Sequence, residues 1–315
     1  MEKVLLTGAA GFIGSSVTRL LVGLDRYEII APVISKNDVG RLSKIRNQLK
    51  LIECDLVDFK QVDGLILKYK PNFIFHLATK GVYTKEWNDR TGILMGNYAM
   101  SVNLLEAVYK HNSKKKFLKH FINTGSVFEY GTKKGRVNED DVVLDDNLNE
   151  YSASKKATTT LTLTYKDYFP VSVIRPFTAY GPYGDKGRFI EASILRALKG
   201  EEIRIVKGVV RDFVYVDDVA DLFIKAMGNK KVYGEIVNVG SGKGVTLEET
   251  ASEIVKTTKS NSKIVIDDSY KRNKDSRCWA GISKANKLVG WKPKTSISNG
   301  VKLIQNYLKK VDNGV

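Results

Sequence analysis

The stretch from Lys3 to Leu24 reads KVLLTGAAGFIGSSVTRLLVGL. It is a short apolar run, then glycines at Gly8, Gly11 and Gly14, then apolar residues at helical spacing through Phe12, Ile13, Val17, Leu20, Leu21 and Leu24. A strand that turns through glycines directly into a helix leaves few folds open. One glycine lets the chain turn sharply, a second removes a Cβ that would block a close approach, and the third lets helix and strand pack tightly. The first N–H groups of such a helix lack helical partners and, with the helix dipole, attract anions. Gly8, Gly11, Phe12, Ile13 and Gly14 are therefore expected to cradle the phosphates of a dinucleotide.

The same alternation continues. Residues 28–34 and 50–53 read as strands, 59–69 as a helix, 72–77 as a strand, 91–111 as a helix, 118–123 as a strand, 151–168 as a helix and 171–175 as a strand. Strands alternating with helices imply a parallel sheet covered on both faces. The expected fold is α/β, a Rossmann-type doubly wound parallel sheet with a smaller C-terminal substrate-binding lobe. After residue 176 the loop PFTAYGPYGDKG leads into shorter elements: helices near 189–199, 217–227 and 246–258, and strands near 203–206 and 212–216. This divides the chain into a dinucleotide-binding domain at 1–176 and a substrate lobe over most of 177–315, with about 211–240 returning to the main sheet.

Composition narrows the function. No stretch approaches the ~20 apolar residues that span a bilayer, and the N-terminal apolar run is shorter than a signal-peptide core. A cytoplasmic protein without membrane contact is expected. Cys54 and Cys278 stand apart from any CxxC, and His76, His111 and His120 are scattered, so no metal site is expected. The net charge of +16 raises nucleic-acid binding as an explanation. The lysines, however, are spread along the chain, and the densest cluster, Lys114–Lys116 with Lys119, lacks interleaved aromatics. Nucleic acid is not an expected partner; a basic surface also suits anionic small molecules.

Residues 151–155 read YSASK, which puts Tyr151 and Lys155 on one face of a helix. A free phenol, with a pKa of about 10, exchanges protons poorly at neutral pH, and a neighbouring ammonium lowers that value. Ser126, in the strand end FINTGSVFEYG, offers a hydroxyl to a substrate oxygen, with Thr124 as the alternative. Ser126, Tyr151 and Lys155 are the candidate catalytic set. The second strand ends PVISKNDVGR: Val33 stands where a carboxylate would hold the ribose of NAD. Ser35, Lys36 and Arg41 follow and would suit a 2′-phosphate. NADP is therefore the expected cofactor, with NAD as the alternative.

The ordered motifs resemble the extended short-chain dehydrogenase/reductases, the NAD-dependent epimerase/dehydratase family that modifies nucleotide sugars. GxxGxxG spacing, YxxxK, IRPFTAYGP at 174–182, RDFVYVDDV at 211–219 and GWKP at 290–293 carry the likeness, which runs from about residue 3 to 308. It implies that Asp55-Leu56 and Leu77-Ala78-Thr79 line the dinucleotide, as do Asn97, Thr124 and Pro176. It places Lys80, Ser126, Thr178 and Arg211 with the substrate, and assigns Arg272 and Asp275 to its diphosphate and nucleoside ribose. Thr178 departs from the family's usual asparagine. The family also implies a homodimer through the helices near 91–111 and 151–168, and a nucleoside-diphosphate sugar as substrate.

Within that group the TDE triplet of a 4,6-dehydratase is missing, because Val127 and Phe128 follow Ser126. FHLATKGVY and INTGSVF resemble the CDP-abequose/CDP-paratose synthase group, while the trailing VFEYG resembles UDP-galactose 4-epimerase. A 4-ketoreductase of a 4-keto-deoxy sugar nucleotide is expected, with a 4-epimerase holding bound NAD as the alternative and a non-catalytic dinucleotide sensor as a more distant one.

Overall fold

The computed structural model describes residues 1–81, 87–142, 149–267 and 277–312. Its first half contains β1 (Glu2–Thr7), α1 (Phe12–Gly23), β2 (Tyr27–Val33), β3 (Lys50–Glu53), α2 (Phe59–Tyr69), β4 (Phe73–His76), α3 (Trp87–Asn112), β5 (His120–Thr124), β6 (Lys134–Val137), α4 (Glu150–Thr164) and β7 (Val171–Pro176). The second half adds β8 (Thr178–Tyr180), α5 (Phe189–Lys199), β9 (Ile203–Ile205), β10 (Val210–Arg211), β11 (Phe213–Tyr215), α6 (Val216–Ala226) and β12 (Ile236–Val239). These are followed by β13 (Val245–Thr246), α7 (Leu247–Thr258), β14 (Ile264–Ile266), β15 (Arg277–Ala280), α8 (Ser283–Val289) and α9 (Ile297–Asp312).

Seven strands form the main sheet in the order β3-β2-β1-β4-β5-β7-β12, every pair parallel. The chain order reverses between β1 and β4, which opens a crevice at their C-terminal ends. The apolar strands alternate in what they bury. Val4, Leu6, Ile29, Ala31, Phe73 and Phe75 meet α1 and α6, whereas Leu5, Ile30, Ile74 and Phe121 meet α2 and α3. Both faces of the sheet are thus core, which is why its strands read as continuous apolar runs.

The two halves exchange strands. β6 lies before residue 176 yet joins the four-stranded sheet β13-β10-β15-β6, pairing in parallel with β15. β12 crosses the other way and pairs with β7. Of the stretch expected to return to the main sheet, α6 and β12 do so, while β10 and β11 pair with β15 and β8. A separate apolar cluster built from Ile190, Ile194, Ile203, Phe213, Ala251, Ile254 and Val301 holds α5, α7 and α9 together.

A threonine-rich face of α4 packs on β5 through hydrogen bonds. Asn123 of β5 donates its side-chain amide to Thr162 Oγ1 at 2.9 Å and to the Thr158 carbonyl at 3.2 Å. Thr158 and Thr162 return their hydroxyls to carbonyls one turn back, at 3.0 and 2.7 Å. This face seats the helix against the strand that leads into Ser126.

Candidate active site

The glycine turn follows β1 and opens α1 at the sheet's crevice. Gly8 adopts φ +70°, and a Cβ there would lie 2.6 Å from the Ala78 nitrogen. A Cβ on Gly14 would lie 2.0 Å from the Gly8 carbonyl oxygen. Both positions therefore demand glycine. The turn is closed by Gly11 N–H donating to Gly8 O at 2.9 Å, and the helical ladder begins with Ser15 N–H to Gly11 O. The N–H groups of Phe12, Ile13 and Gly14 precede it, and no side chain caps them. This is a cradle with the shape and polarity for a pyrophosphate.

Thr7 and His76 brace the cradle from below. Thr7 Oγ1 sits 2.8 Å from His76 Nδ1 and accepts the Ala78 N–H at 3.1 Å. His76 Nε2 lies 3.0 Å from Ser101 Oγ, which donates to the Asn97 carbonyl at 3.2 Å. Since Ser101 spends its proton there, donor bookkeeping puts the ring proton on Nε2. Burial pushes the His76 pKa down to about 3, and the charge on Lys155 adds to the effect. The ring is a neutral structural link.

Asn97, 3% exposed, joins the loop after β4 to the helix that carries the tyrosine. Its Oδ1 accepts from Lys80 N–H at 2.7 Å and Thr79 Oγ1 at 3.3 Å, and its amide donates to Ser154 Oγ at 3.0 Å. Ser154 in turn donates to the Tyr151 carbonyl at 2.8 Å. The Lys80 side chain runs over Gly96, where a Cβ would come within 3.1 Å of its Cδ.

α4 starts where a capping box fixes it: Asn149 Oδ1 accepts the Ser152 N–H at 2.9 Å, and Ser152 Oγ accepts the Asn149 N–H at 2.8 Å. Tyr151 therefore stands in the first turn, half-buried, with its ring edge-on to Phe128 at 6.1 Å between centroids. One turn on, the Lys155 ammonium lies 5.9 Å from the Tyr151 ring centroid and donates to the Thr124 carbonyl at 2.9 Å. Lys155 is 5% exposed, and burial pulls its pKa down to about 8. Thr124 Oγ1 is buried without a partner among the described residues, a donor left over at the crevice.

Ser126 caps the short 3-10 turn Val127–Tyr130 by accepting the Phe128 N–H at 3.2 Å, which leaves its own proton available. Reading the sequence missed what lies behind it. Glu129 accepts the Ser126 N–H at 2.6 Å and pairs with Arg175 Nη2 at 2.8 Å, both side chains buried. An acid at 129 followed by a basic residue before Pro176 is the only trace of this pair in the sequence.

Other expected residues fall in several places. Asp55 turns its carboxylate onto the Val57 N–H at 3.0 Å at the end of β3, beside buried Leu56. Pro176 is buried at the end of β7 and Thr178 half-buried just beyond. Arg211 is half-buried, with Nη1 on the Val210 carbonyl at 3.0 Å. Arg272 and Asp275 lie outside the described residues. The three acids of RDFVYVDDV are structural ties. Asp212 accepts N–H groups from Ser241, Gly242 and Ala280 at 2.6, 3.1 and 3.0 Å. Asp217 accepts from Ser16 on α1, and Asp218 holds the N–H groups of Lys294 and Thr295 at 3.1 and 2.9 Å.

Arg41, Ser35 and the Lys36 backbone, expected near a 2′-phosphate, all bond within the chain. Arg41 spends its guanidinium on backbone carbonyls, Nε on Tyr183 at 2.9 Å and Nη1 on Ala10 at 3.4 Å. Ser35 Oγ accepts from Asn37, and the Glu53 carboxylate takes the Lys36 N–H at 3.2 Å. The loop is thus closed by a negative charge. Among the described residues no helix is long and apolar enough to cross a membrane, and no group of three or more His, Cys, Asp or Glu could hold a metal ion.

A chain with a glycine cradle at a Rossmann switch point and a Ser-Tyr-Lys set beside it has the architecture of the extended short-chain dehydrogenase/reductases. The family model for the NAD dependent epimerase/dehydratase family matches residues 4–240, and the chain belongs to that family of enzymes. It is 28% identical to UDP-glucuronate 4-epimerase of Thermodesulfobacterium geofontis over 98% of this chain and 97% of that one. Among solved structures it resembles UDP-glucose 4-epimerase of Thermotoga maritima with UDP-glucose, with a TM-score of 0.86 and 26% identity over 98% of this chain and 99% of that one. It also resembles UDP-glucuronic acid 4-epimerase of Bacillus cereus in complex with NAD, with a TM-score of 0.85 and 25% identity over 99% and 98%. These likenesses favour the epimerase alternative over the 4-ketoreductase, and they lend no support to NADP.

Proposed function

We propose that the protein is a nucleotide-sugar 4-epimerase that keeps NAD bound and acts on a uridine-diphosphate-linked hexose or hexuronic acid. The observation that carries this reading is Lys155. A buried ammonium beside the Tyr151 ring serves proton exchange with a sugar hydroxyl, in a frame shared over nearly its whole length with two 4-epimerases.

Gly8, Gly11, Phe12, Ile13 and Gly14 fit the pyrophosphate, and Thr124, Asn97, Leu77, Ala78, Thr79 and Pro176 line the crevice leading from it. The nicotinamide, when bound, supplies the hydride acceptor and donor. Tyr151 as phenolate takes the proton of the C4 hydroxyl, Lys155 stabilises that phenolate, and Ser126 donates its proton to the C4 oxygen as it becomes a carbonyl. After the keto sugar presents its other face, Tyr151 returns the proton. Arg211 suits the diphosphate as a fork of donors, with Arg272 and Asp275 proposed for the diphosphate and ribose, and Lys80 and Thr178 for the sugar.

NAD is favoured over NADP because Arg41 is occupied and Glu53 would repel a 2′-phosphate. A dehydratase is disfavoured because an apolar Phe128 ring packs on Tyr151, in place of an acid. The homodimer belongs to the same reading, supported by exposed Met95, Tyr98 and Tyr109 along α3. The test is to denature the purified protein and identify the released dinucleotide. Near-stoichiometric NAD is expected. An empty protein that consumes NADPH with a 4-keto sugar nucleotide would restore the reductase.

A further inference from the structure

Behind the reactive serine lies a buried charged pair that the reaction as described does not use. Glu129 and Arg175 have side chains 1% and 3% exposed. One carboxylate oxygen accepts the Ser126 N–H, and the other takes Arg175 Nη2. The site is built around this carboxylate. Gly125 is required because a Cβ there would lie 2.5 Å from Glu129 Oε1. Arg175, at the end of β7, is further fixed by stacking over Tyr130 at 4.5 Å, and Tyr130 is anchored by its hydroxyl to Asn238 Oδ1 at 2.8 Å on β12. A rigid line thus runs from β12 through β7 to the Ser126 backbone.

We propose that Glu129 is a positioning residue with two separable tasks: its oxygen fixes Ser126 toward the substrate oxygen, and its negative charge keeps the Lys155 ammonium protonated in a buried site. This rests on the reading of Ser126, Tyr151 and Lys155 as the proton-handling set. The charges around Lys155 make the second task necessary. Tyr151 faces it from its own helix and His76 from β4, while Glu129 comes close from the turn after β5: Lys155 Nζ donates to the Thr124 carbonyl, and Glu129 Oε1 accepts the Ser126 N–H two residues on. His76 is neutral, its pKa pushed down to about 3 by burial. Beside the Tyr151 phenolate of the working reaction, Glu129 is the carboxylate whose field raises the Lys155 pKa against the burial that lowers it to about 8. Without it, Arg175 would be a buried cation stripped of its ion-pair partner, and Lys155 would lose that part of the field favouring its charge.

Two variants separate the tasks. Glu129→Gln keeps an acceptor for the Ser126 N–H and removes the charge; Glu129→Asp keeps the charge and withdraws the oxygen. The primary readout is NMR titration of the Lys155 ε-carbon in lysine-labelled holoprotein, with its signal assigned by Lys155→Met. It does not depend on turnover and stands even if the substrate assignment fails. In Glu129→Gln the titration midpoint is expected at least about half a pH unit below wild type. The alkaline limb of the kcat profile should move the same way. In Glu129→Asp the midpoint should stay put, with kcat about tenfold lower through loss of one buried hydrogen bond. If Glu129→Gln does not retain bound dinucleotide, Glu129→Gln/Arg175→Met is compared with Arg175→Met alone, and the Lys155 midpoint is expected at least about half a pH unit lower in the double variant. An unmoved Lys155 midpoint in the charge-removed protein would overturn the proposal, as would equal kcat losses in both variants with unchanged limbs.

Discussion

Tyr151 is where the proposed chemistry is most exposed to test. Its phenol needs the Lys155 ammonium, which reaches it from one turn along α4 while anchored on the Thr124 carbonyl. Replacing Tyr151 with Phe removes the proton carrier and leaves the glycine cradle untouched. Turnover is expected to fall by about 10²–10⁴-fold with bound dinucleotide retained; a variant that turns over normally would take Tyr151 out of the mechanism. Tyr151 and Lys155 are proposed from their i, i+4 spacing, and the structure places them one turn apart on α4, with Ser126 just after β5. Reading the sequence missed Glu129, which sits in an apolar context in VFEYG and reaches its partner Arg175 only through the fold, 46 residues away. Arg41 shows a related limit. Its place after β2 suits a 2′-phosphate, and only the folded chain reveals Tyr183 and Ala10 as its acceptors.

At the scale of elements, the strands and helices with clean periodicity lie close to where the pattern puts them, as with α2 at Phe59–Tyr69 and α5 at Phe189–Lys199. The short strands were not legible. β6, β10, β13 and β15 have two to four residues each and exist because distant segments pair with them, which no local pattern records. The acids of RDFVYVDDV illustrate what organises this part of the molecule. Asp212 gathers three backbone N–H groups from the end of β15 and the loop after β12. Asp212→Ala would strand those donors, Ala280 N–H fully buried and the other two partly so, at a cost of about 3 kcal/mol. Urea denaturation should register that loss, and a cost within about 0.5 kcal/mol would mean the loop is held by something else.

The whole molecule carries a pH dependence set by its buried histidines. His120, between β5, Ser172 on β7 and the Gly228 N–H, has its pKa pushed from 6.5 to about 3 by burial, as does His76. The unfolded chain takes up a proton on each ring near pH 6.5, the folded chain only near pH 3. The stability contributed by the neutral ring is therefore complete above 6.5 and lost as pH falls through that window. Glu139 and Glu191, raised by burial, act in the opposite sense, so the effect is best read against a variant. The advantage of wild type over His120→Gln should shrink by about 1.4 kcal/mol for each pH unit below 6.5. A difference that does not change with pH would show that His120 is not a neutral core group.

The central claim is that this fold oxidises and re-reduces one carbon of a UDP-linked sugar with its own bound dinucleotide. Purified protein incubated with UDP-glucose, UDP-galactose or UDP-glucuronic acid, with no dinucleotide added, should convert one of them to a mixture with its C4 epimer, read by proton NMR. All three remaining unchanged in a protein shown to contain NAD would contradict the claim.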